Sequence, residues 1–178
     1  MKFFSTLLCL LALPTAALYA QESKPSLQAL DETYGFRGAR FEADTSAFRD
    51  LTLAEKAGQT RYYRRTGEQK KMGAGEAADI TYGFYKGKLA VIMIKTQGGA
   101  NSRAALAELQ KQAGPGMQRS PFTQRYAWNG KRVHMSYDEN SMSNDALILL
   151  TCKKLKEQEL KQALRIRQPL PASTGTGM

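Results

Sequence analysis

The feature that most constrains this chain is a pair of β-prone runs folded around a two-residue turn. Ile80, Tyr82 and Phe84 alternate with other residues, Lys86-Gly87 interrupts the pattern, and residues 89–94 are almost continuously apolar. Alternation at period two puts one set of side chains on one face of a sheet, and a short turn between two such runs joins them antiparallel. The same arrangement recurs downstream, where Tyr126 and Trp128 precede Asn129-Gly130 and then Val133, Met135 and Tyr137. Asn-Gly between alternating apolar residues predicts a type I′ turn, in which both central residues take positive φ. Further strands are expected at Thr60–Arg65 and over residues 146–152. Residues 70–72 are expected to pair with Thr60–Arg65 across Thr66-Gly67-Glu68.

Two segments carry helical periodicity instead. Leu106, Leu109 and Ala113 fall on one helical face, Asn101 or Ser102 is the expected N-cap, and Gly114-Pro115-Gly116 ends the run. Residues 153–167 form a charged helix with Leu155, Leu160, Ala163, Leu164 and Ile166. Residues 34–53 mix Gly with spaced aromatics and are expected to form turns and short irregular elements. Strands, helix, strands, helix give an α+β fold: a mainly antiparallel sheet built from hairpins, with two helices packed on one face. A doubly wound parallel sheet is excluded. Residues 82–88 and 126–131 resemble one another, which fits either an internal duplication or two hairpins using similar chemistry.

The N-terminus reads as an address. Lys2 precedes an apolar stretch over residues 3–18, and Ala17-Leu18-Tyr19-Ala20 leads into polar Gln21-Glu22-Ser23-Lys24. That is the pattern of a secretory signal peptide over residues 1–20, shorter than a membrane span. Cys9 lies in the middle of the stretch, where a lipoprotein signal would need it at the end. Residues 21–33 follow as a polar lead-in, residues 34–167 as a single α+β domain, and residues 168–178, with two Pro and two Gly, as a flexible tail. Export places the protein in the periplasm or outside the cell. Removing the signal peptide leaves Cys152 as the lone thiol, so the core must hold the fold without a disulfide.

Composition narrows the chemistry. In 178 residues, 42% are hydrophobic and 24% charged, which excludes a disordered chain. One His and two Cys leave almost no material for a zinc site, and no metal or cofactor is expected. His134 and Ser136 share a strand face, but a nucleophile–base pair also needs hydrogen-bond reach and an orienting group, and no Gly-x-Ser-x-Gly elbow occurs. Cys152 ends an apolar run and reads as a small core hydrophobe. The oxygen-rich stretch over residues 138–145 departs from a calcium loop, because Met142 stands at a ligand position and the Gly and late Glu are missing.

The charge is less evenly placed. Net charge is +10, and Arg61, Arg64, Arg65, Lys70, Lys71, Lys86 and Lys88 gather in the first sheet region among Tyr62, Tyr63 and Tyr85. Basic residues between aromatics on a sheet suit an anionic polymer. Export argues against nucleic acid and for an anionic envelope component, with Arg61, Arg64, Arg65, Lys86 and Lys88 as the anion-binding candidates. A solvated basic face without a ligand is the competing reading.

Three strings, Tyr34-Gly35-Phe36-Arg37, Asp79-Ile80-Thr81-Tyr82-Gly83-Phe84-Tyr85-Lys86-Gly87-Lys88 and Met135-Ser136-Tyr137-Asp138-Glu139-Asn140-Ser141, together resemble a family of small exported bacterial proteins of uncharacterised function. The resemblance spans about residues 30–152 and implies export and one α+β domain. It implies no activity and no site residues. The expectation is therefore a non-enzymatic binding or envelope-associated domain. The alternatives are a basic sheet surface that binds anionic envelope polymers, and a hydrolase using carboxylates such as Asp79, Asp138 and Glu139.

Overall fold

A computed structural model describes residues 26–167. The expected signal peptide over residues 1–20 and the expected tail over residues 168–178 lie outside the described residues. In chain order the elements are α1 (Leu27–Thr33), β1 (Gly35–Phe36), β2 (Ala39–Arg40), a 3-10 turn (Thr45–Ala47), β3 (Leu51–Ala57), β4 (Thr60–Arg65), β5 (Lys71–Met72), β6 (Gly75–Tyr85), β7 (Lys88–Thr96), α2 (Gly99–Ala113), β8 (Met117–Gln118), β9 (Arg125–Asn129), β10 (Val133–Glu139), β11 (Ala146–Cys152) and α3 (Lys153–Arg167).

Period-two alternation builds the main sheet. Its order is β3-β4-β6-β7-β11-β10-β9-β8, every pairing is antiparallel, and β5 joins β6 at the side. Each half is a meander, and the halves meet where β7 pairs with β11, Met93 opposite Leu149. This is the α+β antiparallel architecture the sequence implies. The two similar strings do not occupy equivalent places in it. Residues 82–85 lie on β6, next to the central pair, whereas residues 126–129 lie on β9, one strand further out. Residues 71–72 pair with Glu76 and Gly75 of β6 and not with β4, because a tight turn at Gly73 closes the nearer hairpin.

Alternation also fixes the core. Ile80, Tyr82 and Phe84, Ile92 and Ile94, Ile148 and Leu150, and Val133, Met135 and Tyr137 point to one face and are buried. On that face α2 buries Ala105, Leu109 and Ala113, one helical stripe, beside α1. Ser102 is not a cap. It is buried, bonds Thr96 at 2.7 Å and donates to the Asn144 carbonyl at 2.7 Å, tying α2 to the β10–β11 connection, while Gly98 holds the cap position. Asn101 instead accepts from the Glu76 N–H at 3.0 Å.

Residues read from sequence as polar lead-in form α1. Ser26 caps it by accepting from the Ala29 N–H at 3.1 Å, and Tyr34 closes it in the left-handed region, φ 45°. From there the Tyr34 hydroxyl reaches the Cys152 thiol at 3.2 Å. α3, expected on the same face as α2, lies against the other side of the sheet, because its partners Thr60 and Tyr85 point there. Thr60 donates to Glu159 at 2.9 Å and Tyr85 to Gln162 at 2.7 Å, and both alternate away from Tyr63 and Phe84. No helix among the described residues is long and apolar enough to cross a membrane.

Candidate anion-binding site

Two turns at one end of the sheet create a recess. Lys86 and Gly87 have φ 50° and 81°, so the left-handed pair of a type I′ turn sits here, between β6 and β7. Gly58, φ 59°, opens the turn between β3 and β4 alongside it. The Lys86 N–H donates to the Gln59 carbonyl and the Thr45 N–H to the Gly87 carbonyl, both at 3.3 Å, which fixes the turns to each other and to the 3-10 turn. The space between them is about 480 Å³, lined by Thr45, Gln59, Arg61, Tyr63, Phe84 and Lys86 among others. Tyr63 meets Phe84 edge to face at 5.6 Å, and Phe48 meets Phe84 likewise at 5.2 Å. The aromatic floor is thus held in place.

The five candidate cations do not form one surface. Arg61 and Arg65 share a strand face, and Arg64 points to the opposite one. Three of the five are already neutralised. Arg64 grips Asp79 with two bonds of 2.8 Å, and this pairing is the main reason the Asp79 carboxyl is held below the usual carboxylate range. Arg65 pairs with Glu68 at 2.8 Å, which also accepts from the Tyr82 hydroxyl at 2.7 Å. Lys88 pairs with Asp44 at 2.8 Å. Among the described residues Arg61 and Lys86 have no carboxylate partner, and these two line the recess. The Lys86 ammonium stands 5.3 Å from the centre of the Tyr85 ring, a cation–π contact that leaves its donors free.

The carboxylates of the hydrolase alternative do not converge. Asp79 pairs across to Lys95, Lys95 to Leu147 and Leu147 to Asp138, so three strand spacings, roughly 14 Å, separate the two acids. Paired catalytic carboxylates sit about 5–9.5 Å apart in glycosidases and closer, about 3 Å, in aspartic proteases. Asp138 is bound by Arg125 at 2.8 Å, and Glu139 accepts from the Tyr137 hydroxyl. His134 is half-buried opposite Asn129 and Thr151. Burial first, then the charge of Lys153, holds its pKa below the ordinary imidazole value. Cys152 is fully buried. Among the described residues no three His, Cys, Asp or Glu side chains gather as a metal-binding group.

A second hollow, about 580 Å³, lies between α1, α2 and the sheet, over Leu30, Phe36, Leu109, Met135 and Leu150. Of the two cations lining it, Arg37 is spent on the chain itself, donating to the carbonyls of Gln69 and Lys71, and Lys111 shares the lining with the carboxylate of Glu108. The recess between the turns is therefore the better place for an anion. Sequence reading named Arg61 and Lys86 but missed Thr45 as their company, because the 3-10 turn reaches the site only through tertiary bonds.

No family model and no curated protein matches the chain. Among solved structures, a DUF4309 family protein, YjgB from Bacillus subtilis subsp. subtilis str. 168, is similar at 17% identity, covering 72% of this chain and 98% of that one with a TM-score of 0.38.

Proposed function

We propose that this chain is an exported, non-enzymatic binding domain whose recess between the Gly58 and Lys86 turns holds an anionic group of an envelope polymer. The observation that carries the reading is the pair Arg61 and Lys86, two exposed cations without a carboxylate partner among the described residues, both lining one aromatic-floored space. A phosphate, sulfate or carboxylate there gains charge-assisted bonds to both side chains. Export rests on the signal-peptide pattern of residues 1–20. The net charge of +9 left after residues 1–20 are removed (25 Lys and Arg against 16 Asp and Glu) would draw the polymer in, with a dependence on ionic strength.

The test is binding of the mature protein to lipopolysaccharide, with heparin as a second polyanion. Arg61→Ala with Lys86→Ala is expected to weaken binding by roughly thirty-fold, since each of the two lost charge-assisted bonds costs about 1 kcal/mol at an exposed site. Arg64→Ala, on the opposite face and bound to Asp79, is the control and is expected to bind as the parent does. Equal losses in the two variants, or binding indifferent to salt, would show general electrostatic attraction and defeat the proposal.

A further inference from the structure

Phe122 is 95% exposed and Met142 is 91% exposed, against 73% for Ile166 on α3. Their placement is related. Phe122 stands on the loop between β8 and β9, and Met142 on the loop between β10 and β11. These loops leave the same end of the sheet side by side, because Arg125 pairs with Asp138 and the Glu139 N–H donates to the Gln124 carbonyl at 3.0 Å. That end lies opposite the recess of Arg61 and Lys86.

Both loops present their apolar residue by the same device. The Ser120 hydroxyl accepts from the Phe122 N–H at 3.3 Å, and the Asn140 side-chain oxygen accepts from the Met142 N–H at 2.8 Å and the Ser143 N–H at 3.1 Å. Gln118 donates to the Thr123 carbonyl at 2.8 Å from behind. Backbone groups that would otherwise seek the core are thus satisfied within each loop, and the side chain two residues on is turned outward. Ordering is complete before any partner arrives.

Two exposed arginines at this end can meet an acidic surface. Arg119 is exposed in the first loop, and the guanidinium of Arg103 lies beside Gly99 next to Asn144 in the second. Of the carboxylates nearby, Asp138 is neutralised by Arg125, while Asp145 and Glu139 keep their charge under hydrogen bonds from the Gly98 N–H at 2.8 Å and from the Tyr137 hydroxyl.

We propose that this end docks on an anionic lipid bilayer, with Phe122 and Met142 entering the boundary between headgroups and acyl chains while Arg119 and Arg103 meet lipid phosphates. The form of the surface selects the partner. A protein interface has a continuous, closely packed apolar centre. Here the apolar groups stand on two separate loops, Phe122 between Pro121 and Thr123 and Met142 between Ser141 and Ser143, which a fluid medium can enclose one at a time. Taking a Phe side chain out of water favours binding by about ten- to a hundred-fold, and the cations add a term that depends on anionic lipid.

The experiment uses Phe122→Trp and vesicles of phosphatidylcholine with or without phosphatidylglycerol. Trp128 is buried, its Nε1–H bound to the Gly114 carbonyl at 2.8 Å, and contributes a constant background. Emission from the new indole is expected to shift to the blue with phosphatidylglycerol vesicles and to be quenched by bromine-labelled acyl chains. Phe122→Ser with Met142→Ser is expected to reduce vesicle co-sedimentation at least ten-fold with an unchanged melting temperature, and Arg119→Glu to remove the preference for phosphatidylglycerol. An unshifted emission, or undiminished sedimentation of the double variant, overturns the proposal. So does self-association without lipid that the same two Ser substitutions abolish, which would make this end a protein interface.

Discussion

The carboxylate of Asp31 occupies the place a side chain at Gly130 would take: a Cβ on residue 130 would stand 2.5 Å from Asp31 Oδ1. From there Asp31 accepts the consecutive N–H groups of Lys131, Arg132 and Val133 at 2.5–2.9 Å. Gly130→Ala is therefore expected to destabilise the fold by about 1–3 kcal/mol through overpacking. The cost comes from one neighbour, so it should shrink by more than half in an Asp31→Ala background. A double-mutant cycle by chemical denaturation checks this, and additive effects would break the link between the two residues.

The same carboxylate should shape the acid limb of stability. Burial pushes the Asp31 carboxyl up, but hydrogen bonds from Arg132, Val133 and Lys131 and the charge of Lys153 together outweigh it, leaving the group below the usual carboxylate range. Its folded pKa is thus below the unfolded value of about 3.9. The stability it contributes is complete above that pH and is lost as pH falls through the folded pKa. Asp31→Asn is expected to be less stable than the parent at neutral pH by roughly 1–2 kcal/mol, the cost of weakened bonds to three backbone donors. The two proteins should converge in the most acidic solutions. Urea denaturation at a series of pH values measures the gap, and a constant gap contradicts the assignment.

His134 is the single imidazole of the chain, so its titration can be followed without assignment ambiguity. Burial, and then Lys153, lowers its pKa, and its NMR midpoint should lie below 6.5. Lys153→Ala should raise the midpoint only in part, because burial is the larger cause. The linkage runs opposite to a salt-bridged His. As pH drops below about 6.5 the unfolded chain takes up a proton that the folded one resists, so this residue erodes stability there, and His134→Gln should remove that loss.

How far such relationships could be read from residues alone depends on their span. The strand Thr60–Arg65 and the hairpin around Lys86-Gly87 are local, written in alternation and turn chemistry, and both form as expected. The Asn129-Gly130 turn is equally local in appearance, yet neither residue adopts positive φ. Asn129 pairs with His134, and Gly130, Lys131, Arg132 and Val133 lie between them. That wider turn exists to offer N–H groups to Asp31, about a hundred residues away in the chain. A propensity rule for two residues has no access to such a partner. The basic cluster shows the same limit. Seven cations could be counted, but whether a cation is free is decided by Asp79, Glu68 and Asp44, and the fold had to be known to see them paired. α1 did leave a local trace, Ser26 before a short run with Leu27 and Leu30, but seven residues with two Leu give too little periodicity to stand out.

Cys152 offers a final check on the core. It is fully buried at the end of β11, its thiol bonded to the Tyr34 hydroxyl, with the Arg132 guanidinium 3.6 Å over the Tyr34 ring. Burial first, and then the bond to Cys152, drives the Tyr34 pKa well above its ordinary value, so the phenol stays neutral through alkaline pH. In the folded protein a thiol reagent should therefore label Cys152 only at the rate of opening, far slower than a free thiol at the same pH. Tyr34→Phe removes the bond and costs about 0.5–1.5 kcal/mol. It should speed labelling in proportion to that loss, while Cys152→Ala should lower stability by a similar or greater amount by leaving a small cavity. Rapid labelling of the parent protein under native conditions would mean that this end of β11 opens independently of the sheet, and the closed packing of α1 against it would be wrong.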